Sequence, residues 1–135
     1  MTASLSWFSV LAVAVGGALG ALARYGAILG ASGVGASPAW ATLAVNIAGS
    51  LAAGAWLARV QSAGVAGDWH AFVAIGFLGA LTTMSTLTVD FLLLLESRGF
   101  ASALVAAGSQ FGLCLLSAGL GHWFASSLLA SPGGV

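Results

Sequence analysis

Charge is nearly missing from this chain. Three arginines, three acids and no lysine are spread over 135 residues, and charged side chains are 4% of the total against 60% hydrophobic. A soluble domain carries about 25% charged residues. So little polar surface cannot cover a water-soluble globule, and the chain reads as an integral membrane protein; its mean hydropathy of +1.09 agrees. The formal net charge is zero, which argues against a nucleic-acid partner or an acidic surface. Cysteine occurs once, as Cys114. An intramolecular disulfide is therefore impossible, and the thiol reads as a small buried hydrophobe. The N-terminus lacks a basic region and its first apolar run is too long for a signal-peptide core, so no cleavable signal is expected. His70 and His122 have no ligand-like spacing. No nucleophile–base–acid set, phosphate loop or Cys/His metal set is present, so the chain is not expected to be an enzyme.

What is abundant is apolar sequence in long runs. A transmembrane helix needs about 20 mostly apolar residues, and four runs qualify, at about 5–29, 40–58, 69–95 and 101–128. The breaks carry turn chemistry: a Gly/Ser/Pro linker from Gly30 to Pro38, a polar stretch from Arg59 to Asp68, and Glu96-Ser97-Arg98-Gly99. The tail Ser131–Val135 reads as frayed. Residues 1–135 thus form a single four-helix transmembrane domain. Trp7, Trp40, Trp56, Trp69 and Trp123 lie near segment ends, at the headgroup level that aromatic side chains favour.

Small residues recur at helical spacing: Gly16 and Gly20, Gly49 and Ala53, Ser50 and Gly54, Gly108 and Gly112, Ser117 and Gly121. In lipid such pairs let backbones approach closely. They serve either packing within the bundle or a dimer interface. Four short helices enclose little volume, so association of subunits is expected. The orientation signal is balanced. Four spans put both termini on one side, with Arg59; the other side carries Arg98, and Arg24 if it reaches the interface. Positive charge in short loops sets orientation, and this count gives almost no bias. Insertion both ways up, with opposed copies paired about an axis in the membrane plane, follows as an expectation.

The most informative stretch is residues 76–88, Gly-Phe-Leu-Gly-Ala-Leu-Thr-Thr-Met-Ser-Thr-Leu-Thr. Five hydroxyl side chains and two glycines fall near the centre of a span. Polar groups and loosened backbone are tolerated at that depth only against protein or a water-filled path. This predicts a third helix broken at mid-membrane, its freed carbonyls and hydroxyls serving an ion. Other polar positions are few. Arg24 either snorkels to headgroups or stands at the mouth of an anion path, since burying it costs about 2.5–3.5 kcal/mol. Asn46 either bonds a neighbouring helix or donates to a passing anion. Asp90 reads as a structural carboxylate partnered by Arg24 or by backbone, because a carboxylate in an anion pore would repel the ion. Gln110 is expected to face Asn46 or a pore.

Arg24-Tyr25, Asn46 with Gly49-Ser50, and Gly79-Ala80-Leu81-Thr82-Thr83-Met84-Ser85-Thr86 follow one another on the first three segments. Together they resemble the Fluc (CrcB) fluoride-channel family over nearly the whole chain. The resemblance implies an all-α, antiparallel dual-topology dimer with two pores in the cell membrane. It implies passive efflux of fluoride, and resistance to it. It also implies a structural, untransported sodium ion at the dimer centre, held by the Gly79 and Thr82 carbonyls of each subunit. Asn46 corresponds to the pore-facing amide and Arg24 to a vestibule arginine. Tyr25, Thr83, Ser85, Thr86 and Gln110 complete the expected anion pathway as donors without fixed charge.

Three positions depart from the family pattern. Met84 and Leu87 stand where the family usually has phenylalanines, and Ala80 replaces the second of two glycines. Phenyl edges can touch an anion; a thioether and an isobutyl group cannot. A related partner subunit could supply the phenylalanines in a heterodimer. The rival function is a small dual-topology multidrug exporter, but such proteins depend on a carboxylate in the first helix, and the first segment here has none. A non-transporting scaffold is the third class, and would need no Thr/Ser cluster in mid-span.

Overall fold

The computed structural model describes residues 6–65 and 67–130, and all regular structure among them is helical. Helix α1 spans Trp7–Gly33 and α2 spans Pro38–Ala63. The next element, α3, covers 68–81. It opens with Asp68–His70, widens into π-helical turns over Ala71–Leu78 and closes with Gly79–Leu81. Thr82 and Thr83 are then extended, with φ/ψ of −83°/153° and −147°/125°. Helix α4, Met84–Arg98, resumes the path, and α5, Phe100–Leu129, ends it. Trp7–Gly33, Pro38–Ala63, Asp68–Arg98 and Phe100–Leu129 are each long and apolar enough to cross a membrane.

The helices overrun the ends that hydropathy marks. α1 continues past Leu29 to Gly33, α2 past Ala58 to Ala63, and the third span past Leu95 to Arg98. Apolar composition stops at the lipid boundary, whereas helical hydrogen bonding stops at a cap. For α1 that cap is a Schellman motif. Ala36 N–H bonds the Ala31 carbonyl and Gly35 N–H the Ser32 carbonyl, with Gly35 left-handed at φ 75°. Pro38 sits in the first turn of α2, where its missing N–H costs nothing. A single residue, Gly99, joins α4 to α5 at φ 81°, ψ 170°, a conformation that other residues adopt only under strain. The segment start near Leu5 and the tail Ser131–Val135 lie outside the described residues.

Packing rests on close backbone approach. α1 lies against α3: a Cβ on Gly16 would strike the Phe72 carbonyl, and one on Gly20 the Phe77 carbonyl. α2 lies against α5, where Gly54 faces the Ala118 carbonyl and Gly121 the Leu51 carbonyl. These glycines serve contacts within the chain; Gly108 and Gly112 have nothing within 4 Å. The buried apolar side chains are few and mostly small, Ala41, Ala58, Ala71, Leu78 and Ala103. Large apolar side chains such as Leu11, Leu92, Leu116 and Phe124 point outward. That suits helices gathered by dispersion contacts in lipid, where apolar burial between helices brings no hydrophobic gain.

Candidate functional site

The extended pair Thr82–Thr83 lies near the middle of the 31-residue stretch Asp68–Arg98. Each interrupted helix end leaves backbone groups without i/i+4 partners, and Asn46 of α2 supplies two of them. Its Oδ1 accepts from Thr83 N–H at 2.9 Å, and its Nδ2 donates to the Thr83 carbonyl at 3.1 Å. The amide thus clasps one peptide residue from both sides, as a neighbouring strand would. Asn46 is only 7% exposed, so it needs these partners as much as Thr83 does. Gly49, one turn further along α2, lets the Thr82 methyl approach; a Cβ there would overlap it.

Side-chain oxygens finish the break. Thr82 donates both its N–H and its hydroxyl to the Leu78 carbonyl, at 3.1 and 2.9 Å. Thr83 caps α4: its Oγ1 accepts from Thr86 N–H at 3.4 Å and lies 2.9 Å from Ser85 Oγ and 3.4 Å from Thr86 Oγ1. This diversion has a consequence for two carbonyls. In an unbroken helix, Thr83 N–H would bond Gly79 and Thr86 N–H would bond Thr82. Here those donors turn to Asn46 Oδ1 and Thr83 Oγ1. The Gly79 and Thr82 carbonyls are therefore left without them.

Gly79, Thr82, Thr83 and Asn46 line one cavity of about 380 Å³, together with Met84, Leu87, Gln110 and Cys114. A second cavity, about 660 Å³, lies between the start of α2, α4 and α5, with Asp90, Arg98, Ser109 and Gln110 on its wall. Leu87 and Gln110 line both. Gln110 and Asn46 thus face a common space without bonding each other.

Other positions singled out in the sequence lie apart from these cavities. Arg24 and Tyr25 sit on α1 and line neither, and Tyr25 is 59% exposed. Ser85 and Thr86 meet Thr83 but are absent from both linings. Arg24 is not the partner of Asp90, because α1 makes no contact with α4. Met84 is 65% exposed at the edge of the first cavity.

Two features were not legible beforehand. The Asn46–Thr83 clasp joins residues 37 apart in sequence, a pairing that no local spacing rule supplies. The only sequence signal was an amide in an apolar helix, which must find a partner. The histidines also have plain roles: Trp56 donates its indole N–H to His70 Nδ1 at 3.3 Å, and His122 Nε2 lies 2.9 Å from Gln61 Oε1.

Comparison with known proteins places this arrangement. The family model described as CrcB-like protein, Camphor Resistance (CrcB), matches residues 11–122. Three relatives carry the name Fluoride-specific ion channel FluC. The one from Thermus thermophilus is 40% identical over 122 residues, 88% of this chain and 94% of the relative. Those from Shewanella amazonensis and Rhodospirillum rubrum are 38% and 40% identical, covering 84% and 83% of this chain and 93% and 90% of the relatives. With four membrane-spanning stretches and a match over most of its length, the chain is a multi-pass membrane protein and belongs to the CrcB family.

Proposed function

We propose that this chain is the subunit of a fluoride-specific ion channel, giving passive fluoride efflux and hence fluoride resistance. Membership of the family and the names of its relatives support the substrate. The observation that carries the mechanism is the extended Thr82–Thr83 pair, clasped by Asn46 on the wall of a cavity. Fluoride is small and strongly hydrated. A selective path must replace its water with donors that bind it yet release it. Hydroxyls and amides do this without a fixed charge: Thr83, Ser85 and Thr86 at the break, Asn46 and Gln110 from the facing helices, and the Tyr25 hydroxyl toward a vestibule, where the charged Arg24 guanidinium would draw the anion in. One hydrogen of the Asn46 amide is committed to the Thr83 carbonyl, and an amide has a second to offer.

The assembly we propose is a dual-topology antiparallel pair, with the break at the bilayer centre. The Gly79 and Thr82 carbonyls, whose usual donors turn elsewhere, fit a structural sodium ion. Among the described residues no cluster of His, Cys, Asp or Glu could hold a metal, so a resident cation would be met by backbone oxygen. One chain offers two such carbonyls and an inverted copy two more, a set of oxygens that suits a hard cation. When bound, the ion would supply charge compensation between the two breaks.

The test is direct. Liposomes carrying this chain alone are loaded with fluoride and read with a fluoride electrode, with chloride and a lipophilic cation as controls. Fast fluoride release with neither control moving is expected. Transport of the lipophilic cation against a proton gradient would favour an exporter, and no release of any solute would leave a scaffold or a subunit that needs a different partner.

A further inference from the structure

Away from the break, one groove is charged at its mouth and apolar in its depth. Ala12 of α1 and Asp68, Trp69 and Phe72 of α3 line a space of about 310 Å³. Asp68 and Trp69 open α3, and Phe72 lies one turn further into the span. α1 runs the same way beside it, since Gly16 meets Phe72 and Gly20 meets Phe77. Ala12 is one turn further in than Ser9, which holds Asp68. The rings of Trp69 and Phe72 meet edge to face, with centroids 6.0 Å apart, and Ala12 adds only a methyl group to the lining. Asp68 is the one charged residue of that lining. Its Oδ1 accepts from Ser9 Oγ at 2.6 Å, a neutral partner that leaves the negative charge whole. A carboxylate has a second oxygen to offer. The basic side chains at this end belong to another face: His70 Nδ1 is engaged by Trp56 of α2, and Arg59 is on α2 itself, a helix that gives the groove no residue.

We propose that this groove seats a zwitterionic phospholipid with a primary-ammonium headgroup, the ammonium on Asp68 and an acyl chain between Ala12 and Phe72. A primary ammonium donates charge-assisted N–H bonds to a carboxylate. A choline headgroup carries the positive charge without an N–H, and an anionic headgroup carries the wrong sign. Trp69 is 68% exposed at the headgroup level, where its ring face attracts a cation. The occupant is a lipid and not a soluble amine, because the remaining lining is apolar and α3 begins a membrane-spanning stretch. The seated lipid braces α1 against the start of α3. The inference does not depend on what the chain transports.

Native mass spectrometry of the full chain reads the preference directly. The detergent solution holds equal amounts of phosphatidylethanolamine, phosphatidylcholine and phosphatidylglycerol with matched acyl chains. The ethanolamine lipid should be retained most and the glycerol lipid least. Asp68→Asn keeps an acceptor for Ser9 and removes the charge. It should weaken retention of the ethanolamine lipid about fivefold, the upper end for an exposed ion pair, to the level of the choline lipid. Ala12→Leu fills the groove and should abolish the preference. The unfolding midpoint of the parent should rise with added ethanolamine lipid, and that of Ala12→Leu should not. Equal retention of the three lipids by the parent, or a preference that survives either substitution, overturns the proposal. A chain that retains no lipid as a dimer overturns it as well, and leaves the groove to a second copy. No arm reads fluoride, so failure here leaves the channel reading intact.

Discussion

At the scale of single residues, Asn46 is the side chain that holds the extended Thr82–Thr83 pair. Its amide matches the one donor and one acceptor that an extended residue presents. Asn46→Asp keeps the acceptor but removes the donor, and sets a carboxylate against the Thr83 carbonyl. We expect fluoride flux to vanish and stability to fall by about 1–3 kcal/mol, the cost of leaving a buried polar group unpaired. Flux and the unfolding midpoint in detergent are the readouts; a variant that conducts and melts like the parent would refute the role. Much of this was legible in outline. An amide in an apolar helix had to find a partner, and a mid-span Thr/Ser cluster had to face something other than lipid. That the two needs answer each other was hidden, because Asn46 and Thr83 meet only through the packing of α2 beside the third span. Asp90 shows the opposite case: of the two partners expected for it, Arg24 or a backbone group, Arg24 stands on a helix whose backbone does not come close to that of α4.

At the scale of elements, glycines fix how closely helices approach and where they stop. Gly20 of α1 lies under the Phe77 carbonyl, and a methyl group there meets backbone that cannot yield. Gly20→Ala should lower the unfolding midpoint in detergent. Gly26→Ala, on the same helix with nothing within 4 Å, should hold or raise it, since alanine favours a helix by up to about 1 kcal/mol. Equal midpoints would mean α1 does not pack on α3 as described. The one-residue link at Gly99 is a second test. Its φ of 81° with ψ of 170° is reached by alanine only at a cost on the order of 1–3 kcal/mol. Gly99→Ala should therefore destabilise the α4–α5 pair, and an unchanged melting curve would contradict the link geometry. Hydropathy marked four apolar runs, and four helices long and apolar enough to cross a membrane are found. It could not place their ends, because the Schellman turn at Gly35 and the left-handed Gly64 are set by backbone conformation.

At the scale of the whole molecule, the thin core and the outward-facing apolar side chains suit a membrane-embedded body, and the inverted pair proposed above would cover part of that surface. Three arginines, one of them within α1, give the translocon little to read. Adding arginines to the loop between α1 and α2 should fix a single orientation and abolish flux. Co-production with a copy biased the other way should restore it. Full activity from the fixed-orientation chain alone would rule out an inverted pair. On the proposed arrangement, with sodium held between the Gly79 and Thr82 carbonyls of two inverted copies, exchanging sodium for a large organic cation should weaken the pair, read as a loss of dimer in detergent at unchanged ionic strength; a dimer indifferent to sodium would contradict that site. The balanced charge and the two carbonyls whose usual donors turn elsewhere are the observations that motivate the proposed assembly.

Everything turns on whether this polypeptide by itself moves fluoride. The deciding measurement is electrode-monitored release from liposomes that contain only this chain and hold equal concentrations of fluoride and chloride. Rapid loss of fluoride with chloride retained, and no loss from Asn46→Asp, is the expected result. Retention of fluoride by the unaltered chain, or escape of both ions together, would contradict it.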